Sequence, residues 1–176
     1  AGCGSYSKIE GFGFIPVTCF SQALTTFIGQ NLGAKEYDRT KKGALFGTIC
    51  GIGIAEVIGI AVFFFSPYLI AAFGGDQKAI EYGIAEAHTI ALFYCLLAFS
   101  HCMAAIQRGA GRSIVPMFVM MLVWCGVRVT YISIVIRIIP VINVIYWAYP
   151  LTWFISSVIF LILFLKTDWI HGLEKQ

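Results

Sequence analysis

Five runs of mainly apolar residues, each long enough to cross a bilayer, constrain this chain more than any other feature. A helix needs about 20 such residues to span the hydrocarbon core. The runs cover residues 12–32, 43–65, 79–106, 114–139 and 144–165. The second is expected to stop at Ser66-Pro67, the third opens on a charged turn, and the fourth ends at Pro140. A membrane β-barrel would instead show segments of alternating polarity, about ten residues each. Composition closes the soluble alternatives. Charged residues make up 12% and hydrophobic residues 59%, against roughly 25% and about 45–50% in soluble domains. Disorder needs the opposite balance. There is no Gly-X-Y period, and six cysteines without a C-x-x-C do not make a disulfide scaffold, a redox motif or a metal site. The expected fold is all-α, a polytopic transmembrane bundle of five spans.

The loops orient that bundle. Lys35, Arg39, Lys41 and Lys42 follow the first run, Arg108 and Arg112 the third, and Lys166 and Lys175 the fifth. Eight of the twelve basic residues therefore share one side. Lys8, Lys78 and Arg137 lie on the other, and Arg128 falls inside the fourth run. The excess of Lys and Arg in cytoplasmic loops places the eight, and the C-terminus, in the cytoplasm. The expected location is the inner (plasma) membrane of a bacterium. Tyr146, Trp147 and Tyr149 then read as an outer aromatic belt, with Trp169 near the inner surface. The cysteines read as free, buried, apolar thiols. The chain opens on Ala and a short Gly-rich stretch, so a fragment of a longer chain or a trimmed one is expected.

Small residues mark packing seams. Gly43, Gly47, Gly51, Ala55 and Gly59 recur every four residues, which lets a neighbouring helix approach closely. Pro116 sits in a first turn, where a missing N–H costs little. Pro150 lies inside the fifth run and should kink it.

The scarce polar groups inside the runs carry the functional reading, because ionisable residues in a bilayer need a partner or a wet cavity. Glu56, Arg128 and Gln22 all lie roughly 20 Å from the cytoplasmic ends of their helices, at 1.5 Å per residue. Glu56 and Arg128 face protein or a cavity, and a pair between them is one expectation. Such a pair serves either a transport path or plain structure. Thr18, Gln22, Thr25, Gly29 and Gly33 form one small polar face, which either lines a water-filled path or bonds neighbouring helices. Glu86 and His88 join a proton relay, or Glu81 and Glu86 mark the outer interface. His101 is either a proton carrier or a packing histidine. No phosphate-binding loop, nucleophile elbow or zinc-protease motif is present, so an enzyme is not expected. The basic loops lack the aromatic interleaving of a nucleic-acid surface.

Several stretches together resemble a known family. Gln22-Ala23-Leu24-Thr25-Thr26-Phe27-Ile28-Gly29-Gln30-Asn31-Leu32-Gly33-Ala34-Lys35 is similar to the repeat signature of multidrug and toxic compound extrusion (MATE) transporters. Gln107-Arg108-Gly109-Ala110-Gly111, followed by Pro116, resembles a later loop of that family, and Arg128 matches an arginine often found in the next helix. Tyr149-Pro150-Leu151-Thr152-Trp153 and Lys166-Thr167-Asp168-Trp169 look like its last helix and exit. The resemblance implies a partial C-terminal lobe, helices eight to twelve of twelve. Its partners would be the bilayer, helix seven and the N-terminal lobe of the same chain, and small organic, mostly cationic substrates. It implies antiport driven by H⁺ or Na⁺, with no cofactor or bound metal. Some members use acidic residues in helix seven and in the middle of helix ten, but Tyr94 to Ser100 here contains no Asp or Glu. The site candidates are therefore Gln22, Thr25, Glu56 and Arg128 for the pathway, with Glu86, His88 and His101 for proton coupling. A lipid-linked saccharide flippase of the same superfamily is one alternative. A non-transporting membrane interaction module or channel subunit is another.

Overall fold

A computed structural model describes residues 2–72, 77–138 and 141–170. The expected stop at Pro140 and the cation Lys175 lie outside these residues, as does the side chain of Cys3. The described residues form α1 (Gly2–Gly33), α2 (Tyr37–Ala72), α3 (Gln77–Ala91), α4 (Tyr94–Gly109), α5 (Ile114–Met120), a π-helical stretch (Met121–Val127), α6 (Arg128–Ile138) and α7 (Asn143–Lys166). Four stretches are single helices long and apolar enough to cross a membrane, and α3 with α4 makes a fifth, bent by 55°. The all-α bundle is as expected, but three of its spans differ from their sequence boundaries.

The first helix starts ten residues earlier than the apolar run. Ser7, Lys8 and Glu10 break the run, yet Tyr6, Ile9, Val17, Leu24, Ile28 and Leu32 continue one buried stripe. The second helix does not stop at Ser66-Pro67 but runs through to Ala72. Pro67 has no N–H to give Phe63, four residues back, so that carbonyl is freed. Ser66 Oγ donates to it at 3.3 Å, and His88 Nε2 donates from α3 at 3.1 Å. The His88 ring also stacks on Phe63 at 4.3 Å. Side chains that re-satisfy a freed carbonyl let proline persist in a membrane helix. His88→Leu should then cost about 1–3 kcal/mol, and adding Pro67→Ala should recover most of it by restoring the backbone donor. Thermal unfolding in detergent reads both, and a double variant no more stable than His88→Leu would refute the assignment.

The third run is broken at Leu92-Phe93 rather than continuous. One continuous span is expected there because no charged residue, glycine or proline falls near Leu92-Phe93. The cause lies in α2, described below with the site. The fourth span changes to π geometry midway, and the fifth continues through Pro150 from Asn143 to Lys166.

α1 packs on α2, α3 and α4, while α7 packs on α3, α4 and α6. The glycine stripe of α2 behaves as a close-packing seam. An added Cβ would run into Phe27 at Gly43, Leu24 at 2.6 Å at Gly47, and Cys102 Sγ at 2.6 Å at Gly51. At Gly59 it would meet backbone, the Ala91 carbonyl oxygen at 2.5 Å. Serines join α4 to α7, with Ser100 Oγ at 2.9 Å from Ser156 Oγ and 3.0 Å from Ser157 Oγ.

The two Gly-Ala turns share one cap. After α1, Glu36 N–H bonds Asn31 O and Lys35 N–H bonds Leu32 O. After α4, Arg112 N–H bonds Gln107 O and Gly111 N–H bonds Arg108 O. Both are Schellman motifs, with Lys35 (φ 59°) and Gly111 (φ 79°) in the left-handed position. The last carbonyls of both helices are thereby satisfied. Arg112 Nη2 donates to Asp168 O at 2.9 Å, so the α4–α5 loop and the α7 exit meet at one end of the bundle.

The aromatic belt is only partly as expected. Trp147 is exposed, but Tyr146 is buried with its hydroxyl donating to Tyr82 O, and Trp169 is buried against Phe164. Each turns inward to find a partner that lipid cannot offer. The cysteines described are free, but of these only Cys102 is buried, and Cys19 and Cys125 lie on the outer surface.

Candidate functional site

The polar candidates of the sequence separate into those that hold helices together and those that face a cleft. Glu56 belongs to the first group. Phe93 starts α4 without a side-chain cap, so its first N–H groups are orphaned. Glu56 Oε1 accepts the Cys95 N–H at 3.0 Å from across the helix interface. Three residues further on, Gly59 lets α2 press against the Ala91 carbonyl at the other side of the break. The break in the third span and the buried acid of the second thus explain each other. This corrects the expected Glu56–Arg128 pair: the carboxylate is committed to the α4 N-terminus, and α2 packs on α1, α3 and α4.

Thr25 donates to Ser21 O at 2.9 Å and to Ala105 O at 3.3 Å, bonding α1 to α4. Gln22 points the other way, onto an exposed face of α1. Glu86 is buried in α3. His88 holds the Phe63 carbonyl. His101 is wedged between Phe14 at 5.0 Å and Trp124 at 5.5 Å, both edge to face, and its Nε2 is buried without a hydrogen-bond partner among the described residues.

Arg128 faces a cleft of about 300 Å³. The cleft lies between α1, α4, α6, α7 and the π stretch, and Glu10, Phe14, Leu97, Trp124, Tyr149 and Trp153 are among the residues lining it. Leu97 lies 12 residues from the Gly109 end of α4, roughly 18 Å deep at 1.5 Å per residue. The π stretch aims the arginine. Its wider turns, with the Arg128 N–H bonded to Val123 O five residues back, rotate everything that follows. Arg128 Nη2 donates to Thr152 Oγ1 at 2.8 Å, and Thr152 in turn donates to the carbonyls of Ala148 and Tyr149. The guanidinium lies 4.2 Å from the Tyr149 ring centroid and 5.8 Å from that of Trp124. A desolvated cation on an aromatic face gains about 2 kcal/mol. Its Nε is buried and has no hydrogen-bond acceptor among the described residues.

Glu10 supplies the negative charge that sequence reading missed. It lies outside the apolar run, yet it shares the cleft with Arg128 and feels its charge as well as that of Glu86. The stripe Tyr6, Ile9, Gly13, Val17 at spacings of three and four was the available signal. Tyr6 and Tyr94 hydroxyls meet at 3.3 Å one turn above. The cleft therefore offers a fixed cation, a carboxylate and edge-to-face aromatic rings, an arrangement suited to binding and ion exchange. No cluster of three or more metal-binding side chains occurs among the described residues.

The MatE family model matches residues 1–132. The chain belongs to the MatE family. It is 29% identical over 112 residues to a probable multidrug resistance protein NorM of Thermotoga maritima. That match covers 64% of this chain and 24% of the relative. The fold matches a solved multidrug resistance MATE family transporter of the MOP superfamily, in its inward-facing conformation, with a TM-score of 0.80 at 16% identity. That match covers 97% of this chain and 39% of the transporter. This MatE chain thus spans about a quarter of the length of the curated relative and about two fifths of the solved transporter. It is a multi-pass membrane protein with the helical bundle of that family.

Proposed function

We propose that this chain works as helices eight to twelve, most of the C-terminal lobe, of a cation-coupled exporter of drugs or toxic organic compounds. The observation that carries the reading is the Glu10–Arg128 cleft in a bundle with the MatE fold, with Arg128 roughly 20 Å from the Ile114 end of its span at 1.5 Å per residue. Alternating access requires a mid-membrane site that either side can reach in turn. Glu10 supplies the exchangeable negative charge for H⁺ or Na⁺, and Arg128 is the fixed counter-charge. The uncovered face of α1 carrying Gln22 lines the pathway toward the other lobe, which these five helices leave open. Thr25 and Glu56 hold the walls in place. The basic ends of the helices face the cytoplasm of a bacterial inner membrane, and the substrates are small amphipathic organic molecules.

The other lobe supplies half of such a cavity. Vesicles containing only this chain are therefore expected to leave an ethidium gradient unchanged. Cells expressing the complete coding sequence that carries it are expected to extrude ethidium, in Na⁺-free medium only when a pH gradient is present if H⁺ is the coupling ion. Efflux by this chain alone would overturn the two-lobe reading, and no efflux under either ion gradient would overturn export.

A further inference from the structure

A second cavity lies away from the cleft, on the outer face where α2, α4 and α7 meet at the basic end of the bundle. It encloses about 480 Å³ and is lined by apolar side chains, including Leu45, Phe99, Met103, Leu161 and Phe164, with one charged lining residue, Lys41. Leu45 and Leu161 are both exposed, so the groove opens sideways rather than into the bundle. Trp169 closes its basic end, stacked on Phe164 at 5.2 Å. Arg112 holds that exit segment in place through Asp168 O.

We propose that this groove binds an anionic phospholipid. One acyl chain lies along Leu45, Phe99 and Leu161, and the headgroup phosphate sits on the Lys41 ammonium. Charge complementarity selects this occupant over others. Lys41 lines the groove, and Arg112 and Lys166 lie at the same end; Arg39 and Lys42 share the turn of α2 but face a neighbouring groove with Glu36 and Asp38, so basic residues still outnumber acidic ones at that end. Clusters of about four to eight cations beside a span attract anionic headgroups, each cation contributing near the surface. A neutral lipid would fill the apolar groove but gain nothing from that rim. A soluble organic substrate would have to enter from the hydrocarbon side, past Leu45 and Leu161. This site is separate from the transport cleft and does not rest on the export reading.

Native mass spectrometry of the protein in detergent tests the site. The probes are phosphatidylglycerol and phosphatidylcholine with identical acyl chains. The protein should retain phosphatidylglycerol at least five-fold more than phosphatidylcholine. Lys41→Gln should bring the two lipids to near equality, while Lys78→Gln, at the opposite end, should leave the preference intact. Leu161→Trp, at an exposed lining position that does not threaten the fold, should reduce retention of both lipids by blocking the groove. Equal retention of the two lipids by the unaltered protein would overturn the headgroup assignment. Unchanged retention in Leu161→Trp would overturn the groove itself.

Discussion

Glu56→Ala is expected to destabilise the bundle by several kcal/mol, whereas Glu56→Gln is expected to be nearly silent. An unsatisfied backbone group in a membrane costs several kcal/mol, and about 1–3 kcal/mol is lost when a buried partner is removed in soluble proteins. Alanine removes the acceptor at 3.0 Å from the Cys95 N–H and leaves the start of α4 uncapped. Glutamine keeps a carbonyl oxygen at the same reach. Gly59→Val belongs to the same interface. Its Cβ would strike the Ala91 carbonyl at 2.5 Å, which is backbone and cannot swing aside, so the overpacking cost of about 1–3 kcal/mol should appear in full. Thermal unfolding of the purified protein, with the fraction recovered from the membrane as a second readout, measures all three. A Glu56→Gln protein as unstable as Glu56→Ala would show that the charge, not the acceptor, matters there. The capping role would then fall.

That result bears on what the sequence can disclose. Long apolar runs declare helices because lipid leaves the backbone no other partner, so five spans were legible. The stripe from Gly43 to Gly59 declared close packing because only small residues let two backbones approach. The break at Leu92-Phe93 was not legible, because its cause lies on another helix: Glu56 supplies the cap, and Gly59 supplies the room. The same holds for Pro67, which reads locally as a stop and is carried through by His88, 21 residues away in sequence. A buried acid seen alone invites a functional reading. Only the partner separates Glu56, bonded to backbone, from Glu10, open to a cleft. Glu10 itself was hidden because Ser7, Lys8 and Glu10 lower the hydropathy of the first turns. The pairing stripe from Tyr6 to Val17, not the apolar content, marked those turns as helix.

The Gly-Ala turns sit between these cases. Gly33-Ala34-Lys35 and Gly109-Ala110-Gly111 belong to the stretches that resemble the family, and their physics is a shared Schellman cap. Gly109 does more than end a helix. A Cβ there would meet the Thr25 carbonyl and Ile28 Cβ, both at 2.7 Å, so the motif also sets how closely α1 and α4 pack. Motif and packing seam coincide because one small residue serves both.

The second large effect is expected at Arg128. In the complete transporter, Arg128→Met should lower ethidium efflux by at least ten-fold while the protein still reaches the membrane. Methionine fills much of the apolar stem volume but loses three things at once. The Thr152 hydroxyl loses its donor at 2.8 Å, the Tyr149 ring loses its cation at 4.2 Å, and Glu10 loses the counter-charge across the cleft. Arg128→Lys should fall between the two. It keeps the charge, but an ammonium cannot both lie flat on Tyr149 and donate to Thr152 as the planar guanidinium does. Glu10→Gln separates binding from coupling. If Glu10 carries the exchangeable charge, its amide should remove the dependence of efflux on the ion gradient, even where ethidium still binds. Tryptophan fluorescence, from Trp124 and Trp153 beside the cleft, reads that binding independently of transport. Full efflux by Arg128→Met would reduce the arginine to a packing role. Gradient-dependent efflux by Glu10→Gln would move the exchangeable charge out of this cleft, because Glu56 is bonded to the α4 backbone and Arg128 is already the cation of the site.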